Sequence, residues 1–104
     1  MQIQINPGNQ VHGYQYVAKE IEAQLTKKLH RFEGYITRIE VHVEDDHQKT
    51  GENDKRCLLE ARLKHHQPVV ASDTAPSYKE AINGAIDKLK RALDSTIGRL
   101  SNNG

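Results

Sequence analysis

An amphipathic stretch at residues 77–93 constrains the fold more than any other feature of this sequence. Apolar residues recur there at steps of three and four, which places them on one stripe of an α-helix. The lysines and the arginine of the stretch fall off that stripe and are expected to face water. A helix of this kind must bury its apolar side against another layer. The stripe consists of Tyr78, Ala81, Ile82, Ala85, Leu89, Ala92 and Leu93.

The rest of the chain predicts one more helix and four strands. A second apolar stripe at helical spacing predicts a helix that closes at Glu33 and Gly34. Ser77 and Glu80 have the spacing of a capping box, which marks the start of the last helix. The helices are predicted at residues 14–32 and from 77 to about 100, and the strands at 2–6, 36–44, 55–64 and 69–72. Residues 45–54 are predicted to form a long hairpin connection, and 101–104 a frayed tail.

The order strand, helix, three strands, helix predicts an α+β fold. Each strand alternates between apolar and polar residues, so a four-stranded sheet has one apolar face and one polar face. Both helices are expected to pack on the apolar face. The three later strands should form an antiparallel meander with the first strand beside one of them. The 104 residues are predicted to form a single domain, ordered over about residues 1–100.

The charges of the chain are segregated, although the net charge is only +1. Five carboxylates stand against one lysine in residues 44–54, whereas the remaining chain has 14 basic and 9 acidic residues. A basic body with one acidic loop is compatible with RNA binding, but it is also typical of an ordinary solvated surface. Charge alone therefore leaves both interpretations open.

Several function classes find no support in the sequence. No apolar run could span a bilayer, and no signal peptide is recognisable, so we expect no membrane contact and a cytoplasmic location. The single cysteine, Cys57, alternates with core positions and is predicted to be an inert buried thiol. The histidines lack zinc-ligand spacing, and no nucleophile elbow or phosphate loop predicts catalysis. We expect no enzymatic activity, metal, cofactor or small-molecule substrate.

The last helix also resembles a known family. Its pattern is similar to the second helix of the ribosome hibernation promoting factor family, also called ribosome-associated inhibitors (protein Y) and labelled sigma-54 modulation proteins. The pattern consists of Tyr78, Ala81, Ile82, Gly84, Ile86, Asp87, Lys88, Leu89, Arg91 and Leu93. The family has the same element order, so the resemblance covers nearly the whole chain. The chain departs from typical short members at residues 94–99, where closely spaced lysines are expected.

The resemblance implies a function in translation. Members of this family bind the small ribosomal subunit at the decoding region and occupy space that messenger and transfer RNA need. They thereby silence the ribosome in stationary phase or stress. The implied partners are the small ribosomal subunit and its ribosomal RNA. The resemblance is to the short form of the family, so we expect none of the extra C-terminal dimerisation domain that the long form carries.

The candidate RNA-binding residues are basic side chains of the two helices and of the segment after the first helix. Arginine donates two hydrogen bonds at once to a phosphate, and lysine supplies a longer, less directional charge. If the helices pack side by side, their basic clusters can merge into one stripe that recognises RNA backbone and shape. About five phosphate contacts would give a log–log salt slope near −4. The candidates are Lys27, Lys28, Arg31, Arg38, Lys79, Lys88, Lys90 and Arg91.

A protein-interaction module of the same fold is the alternative. In that case the basic residues are solubilising charges, some of them near helix C-termini where the helix dipole favours cations. The acidic residues 44–54 or the polar face of the sheet would then contact a regulatory protein. Salt dependence discriminates between the two, because RNA binding weakens steeply with salt.

Overall fold

A computed structural model describes residues 1–8, 14–45 and 55–103, and the side chains of all of these except positions 14, 16 and 100–103. The predicted α+β order is confirmed. The elements are β1 (Gln2–Pro7), α1 (Tyr14–Lys28), a short 3-10 helix (His30–Phe32), β2 (Ile36–Asp45), β3 (Lys55–Leu63), β4 (Val69–Ala75) and α2 (Tyr78–Asn103).

The four strands form one sheet in the order β1-β2-β3-β4. β2, β3 and β4 are antiparallel neighbours, as the meander prediction requires. β1 pairs with β2 in parallel, with Ile3 opposite Ile39 and Ile5 opposite Val41. A parallel pair needs a crossover connection, and α1 lies in that connection.

Both helices cover the same face of the sheet. On β2, Ile39, Val41 and Val43 are fully buried, whereas the residues between them lie on the open face. Leu25 of α1 and Leu89 of α2 are also fully buried. Each such side chain contributes about 1.5–3 kcal/mol through its removal from water. The helices run parallel, since residues 17–24 of α1 and 79–83 of α2 line one groove, and Lys28 at the end of α1 contacts Asp87 further along α2.

An irregularity near Thr37 sets which residues of β2 reach the core. Ile36 pairs with Leu63 and Arg38 pairs with Arg62, so Thr37 is an extra residue in its strand. Its hydroxyl donates a 3.0 Å hydrogen bond to the carbonyl oxygen of Arg62. In a regular strand, residues three apart face opposite sides of the sheet. The bulge changes this alternation, so that Ile36 and Ile39 are both buried. It also leaves Arg38 on the open face.

Several predicted boundaries were wrong. α1 ends at Lys28, and its expected last turn is the tighter 3-10 helix that brings Phe32 into the core. β4 continues to Ala75 because Asp73 and Thr74, although typical turn residues, pair with β3. α2 continues to Asn103, since no proline interrupts it. Asp45 belongs to β2; the remainder of the predicted hairpin connection, residues 46–54, lies outside the described residues.

The start of α2 is fixed by a cap and by a contact with β2. The capping box is confirmed, because the Glu80 amide donates a 3.2 Å hydrogen bond to the Ser77 hydroxyl. The Tyr78 hydroxyl donates a 3.2 Å hydrogen bond to the Asp45 carboxylate, which Lys55 also contacts at 3.2 Å. The first turn of α2 is thereby attached to the ends of β2 and β3.

Gly84 allows α2 to approach β4 closely. Asp73 is on the helix-facing side of β4, and its carboxylate lies against the α2 backbone at Gly84. A Cβ atom at position 84 would lie 2.7 Å from the Asp73 carboxyl carbon. This separation is far below van der Waals contact, so a larger residue would displace the aspartate.

Gly84→Ala should therefore destabilise the protein by about 1–2 kcal/mol, because overpacking outweighs the better helix propensity of alanine. Gly98→Ala is the matched control in the same helix, since a Cβ there meets nothing within 4 Å. It should stabilise by up to about 1 kcal/mol. Urea unfolding measures both variants. Equal stabilisation by the two alanines would show that the approach of Asp73 is not tight.

The thiol of Cys57 lies in the core on β3. Burial, and then the negative charge of Asp73, raise its pKa to about 12 from an ordinary value of 9. Because the folded protein holds the thiol protonated, its contribution to stability is present below pH 9 and is lost as pH rises towards 12.

We expect Cys57 to resist alkylation in the folded protein at mildly alkaline pH, since the thiolate is the reactive form. The same thiol should react quickly once the protein is unfolded in urea. Mass spectrometry after timed iodoacetamide treatment measures both rates. Rapid labelling of the folded protein would contradict the burial of this side chain.

Candidate nucleic-acid interface

Seven of the eight candidate RNA-binding residues lie in the helix layer. Two are in α1, one is in the 3-10 helix and four are in α2: Lys27 and Lys28, Arg31, and Lys79, Lys88, Lys90 and Arg91. From Lys79 to Arg91 the set extends along about 18 Å of α2. The eighth candidate, Arg38, lies on the opposite side of the sheet.

A row of alternating charges joins the two helices. Asp87, Lys90 and Asp94 recur at steps of three and four, so they lie on one side of α2. That side faces α1, because the Lys28 ammonium lies 3.6 Å from the Asp87 carboxylate and the Arg31 guanidinium hydrogen-bonds to Asp94. We call this row the charged seam; it consists of Lys28, Arg31, Asp87, Lys90 and Asp94.

The charged seam positions side chains more than it stabilises the fold. Its ion pairs are partly exposed, with 62% of the Asp87 side chain and 47% of the Asp94 side chain accessible to solvent. Such pairs contribute about 0–1 kcal/mol each. The Arg31 guanidinium also lies 4.6 Å from the centre of the Phe32 ring, which is buried. Arg31 is therefore held between a carboxylate and an aromatic ring.

Lys88 points away from the seam and contacts the sheet. It follows Asp87 by one residue, which turns it about 100° around the helix axis. Its ammonium lies 3.1 Å from the Asp73 carboxylate and donates a 3.4 Å hydrogen bond to the Ser72 carbonyl oxygen. β4 is an edge strand of the sheet. A lysine side chain that lies against the backbone of an edge strand commonly prevents that edge from pairing with a strand of another chain. These contacts give Lys88 a structural role.

Lys88→Glu should destabilise the fold by about 1 kcal/mol, because it places a second carboxylate beside Asp73 and removes an ion pair. Arg91→Glu is the control with the same change of charge, three residues further along α2. Its side chain is exposed, so its unfolding free energy should change by less than about 0.5 kcal/mol. Thermal melts compare the two; equal melting temperatures would contradict a structural role for Lys88.

Four candidates remain without an ion pair within the described part of the chain: Lys27, Lys79, Lys90 and Arg91. Lys27 and Arg91 are exposed on α1 and α2 respectively, and Lys90 is half-buried in the charged seam. Lys79 borders a shallow groove between the helices, lined by Val17 and Ile82 among others. These cations can meet an anion without first leaving a carboxylate of the described residues.

The open face of the sheet is different, because its arginines are paired. Arg62 lies 2.9 Å from both Glu40 and Glu60, and Arg38 lies 3.7 Å from Glu40. Burial by itself would raise the pKa of Glu40. The hydrogen bond and charge of Arg62, together with the charge of Arg38, outweigh the effect of burial, so the pKa of Glu40 is lower than usual. The hydrogen bond and charge of Glu40 raise the pKa of Arg62. Arg38 therefore belongs to a charge network that is separate from the helix layer.

The sequence interpretation missed the carboxylates that pair with the basic candidates. Asp73 lies just beyond the strand predicted at residues 69–72, and neither it nor Asp87 nor Asp94 is among the predicted partners of a basic residue. The spacing of Asp87, Lys90 and Asp94 was a usable signal, since it puts all three on one side of the helix. The direction of that side became known only from the packing of α1.

Two further observations bear on function. Among residues 1–8, 14–45 and 55–103, no three His, Cys, Asp or Glu side chains are grouped as a metal site. In the same residues, neither helix is apolar enough over a sufficient length to cross a bilayer.

The fold and the site define a small α+β domain that presents a basic helix layer on one side of a mixed sheet. Residues 10–101 match the family described as Sigma 54 modulation protein / S30EA ribosomal protein. The chain belongs to this family of ribosome-associated proteins, which confirms the resemblance. No curated protein sequence matches the chain significantly.

Solved structures share the fold. The Thermus thermophilus Protein Y N-terminal domain superposes with a TM-score of 0.71 at 16% identity, over 92% of this chain and 99% of that one. A ribosomal subunit interface protein from Coxiella burnetii superposes with a TM-score of 0.60 at 16% identity, over 94% of this chain and 99% of that one. At this identity the likeness shows a common fold alone.

Proposed function

We propose that this protein binds the small ribosomal subunit near the decoding region and inhibits translation by occupying the space of messenger and transfer RNA. Such inhibition would serve ribosome hibernation in stationary phase or stress. The direct partner is ribosomal RNA, contacted through its phosphates, and the location is the cytoplasm. The proposal needs no turnover and no cofactor.

One observation carries the proposal: the helix layer holds Lys27, Lys79, Lys90 and Arg91 without ion pairs in the described part of the chain. RNA phosphates can bind these groups without breaking an ion pair among the described residues. Membership of a family of ribosome-associated proteins supports the choice of partner, and so does the fold shared with a ribosomal subunit interface protein. Recognition of backbone and shape fits lysines and an arginine on rigid helices.

The double variant Lys27→Glu with Arg91→Glu should lose co-sedimentation with purified small subunits, because it replaces two free cations by repelling carboxylates. Binding of the unmodified protein should weaken with salt at a log–log slope of about −3, as four phosphate contacts require. Inhibition of translation in a cell-free system should disappear in the same variant.

Arg56→Glu with Lys64→Glu is the matched control. It makes the same change of net charge at exposed residues of β3 and of the connection after it. The control should bind within about twofold of the unmodified protein, because electrostatic attraction over distances beyond about 10 Å is screened by salt. Retention of full binding by Lys27→Glu with Arg91→Glu would contradict the assigned surface.

A protein-interaction module without ribosome binding is the second candidate. The open face of the sheet favours it, because its arginines are already paired and Val70 is 52% exposed there beside the charge network. A protein surface suits such a near-neutral face better than RNA does. A partner retained from a pull-down at high salt, together with no binding to small subunits at low salt, would favour this candidate.

A further inference from the structure

The geometry points to Asp87 and Asp94 as internal competitors of RNA, which set the affinity of the helix layer by holding Lys28 and Arg31. This inference rests on the proposed function, since it assigns the control of that same surface. It gives two carboxylates of α2 a role that the predicted site residues do not include.

The contacts are specific to these side chains. Lys28 lies 3.6 Å from Asp87, and Arg31 hydrogen-bonds to Asp94. In the charged seam, three cations and two carboxylates leave a net charge of +1. Without the carboxylates the same row would carry +3, in the middle of the surface proposed to meet RNA.

The two carboxylates and the phosphates of RNA would compete for the same hydrogen-bond donors, the ammonium of Lys28 and the guanidinium of Arg31. Arg31 can offer its guanidinium fork to a phosphate only if it shares or leaves Asp94. Lys28 likewise has to leave or share Asp87. In addition, a phosphate that approaches the seam is repelled by the aspartates themselves. Both effects lower the affinity for RNA below what the number of basic residues suggests.

The partial exposure of these pairs makes them exchangeable. The side chains of Lys28 and Arg31 are 31% and 58% exposed, so each has a solvent-facing side from which a phosphate can approach. The third pair of α2 differs on its carboxylate side: the Asp73 side chain is only 29% exposed, against 62% for Asp87 and 47% for Asp94, and it lies between β4 and the helix. Although the Lys88 side chain is itself 50% exposed, its ammonium also donates to the Ser72 carbonyl oxygen, so Lys88 is attached to β4 and is not part of this inference.

The test is Asp87→Asn with Asp94→Asn, which keeps side-chain shape and removes both charges. We expect binding to purified small subunits to become about fivefold tighter or more at low salt. The log–log salt slope should change from about −3 to about −5, because Lys28 and Arg31 join the phosphate contacts. Circular dichroism melts verify that the fold is unchanged.

The matched control is Glu44→Gln with Glu60→Gln, which removes two carboxylates paired with Arg56 and Arg62 on the open face. It makes the same change of net charge and should alter binding by less than twofold. Equal tightening by the control would overturn the inference, because net charge alone would then explain the effect.

A mutant cycle makes the assignment residue-specific. In an Arg31→Gln background, Asp94→Asn should lose most of its effect on affinity, because the guanidinium for which Asp94 and phosphate compete is no longer present. A full effect in that background would overturn the inference.

The proposed function and this inference fail in different ways. If unmodified protein binds the subunits but the double asparagine variant binds equally or more weakly, the aspartates only pre-organise the cations and the inference is wrong. If neither protein binds at low salt, the proposed function is wrong as well. Binding by the asparagine variant alone would contradict the proposed function of the unmodified protein but support the inference, because the carboxylates would then block the surface.

Discussion

The burial of two apolar helix stripes on one face of a single sheet is the constraint on which the rest of this structure depends. Leu89 and Leu93 of α2 and Ile21 and Leu25 of α1 all lie fully buried in the core. Because both helices use the same face and run parallel, their polar sides are exposed in the same direction. Basic residues that are far apart in the sequence thus become neighbours on one surface.

That surface is shaped by opposing charges of the same chain. The charged seam alternates in sign along the line where the helices meet, and only Lys90 in it lacks an ion pair within the described residues. Lys27 and Arg91 on the outer sides of the helices keep their charge available. The helix layer is therefore basic at its outer positions and nearly neutral along its middle. A count of lysines and arginines overstates the attraction that an RNA would experience.

The residues that carry the family resemblance have structural roles in this fold. Tyr78 donates to Asp45, and Gly84 makes room for Asp73. Asp87 and Lys88 pair with Lys28 and Asp73 respectively. The pattern on α2 thus specifies how the helix docks against its neighbours. It identifies the fold and the family, whereas RNA contact has to be argued from side chains such as Lys27 and Arg91, of which only Arg91 belongs to the pattern.

The sequence by itself determined the element types, their order and the face that each buries. Apolar residues recur every two residues in a half-buried strand and every 3.6 in a helix, so neighbouring residues alone show which face is buried. It also determined the cap at Ser77, since a capping box involves residues three apart. Tertiary structure alone decided the extension of β4 through Asp73 and the bulge at Thr37, because both depend on pairing with β3. It likewise decided which cations pair with carboxylates. Lys28 and Asp87 are 59 residues apart, and only the parallel packing of two helices brings their charges together.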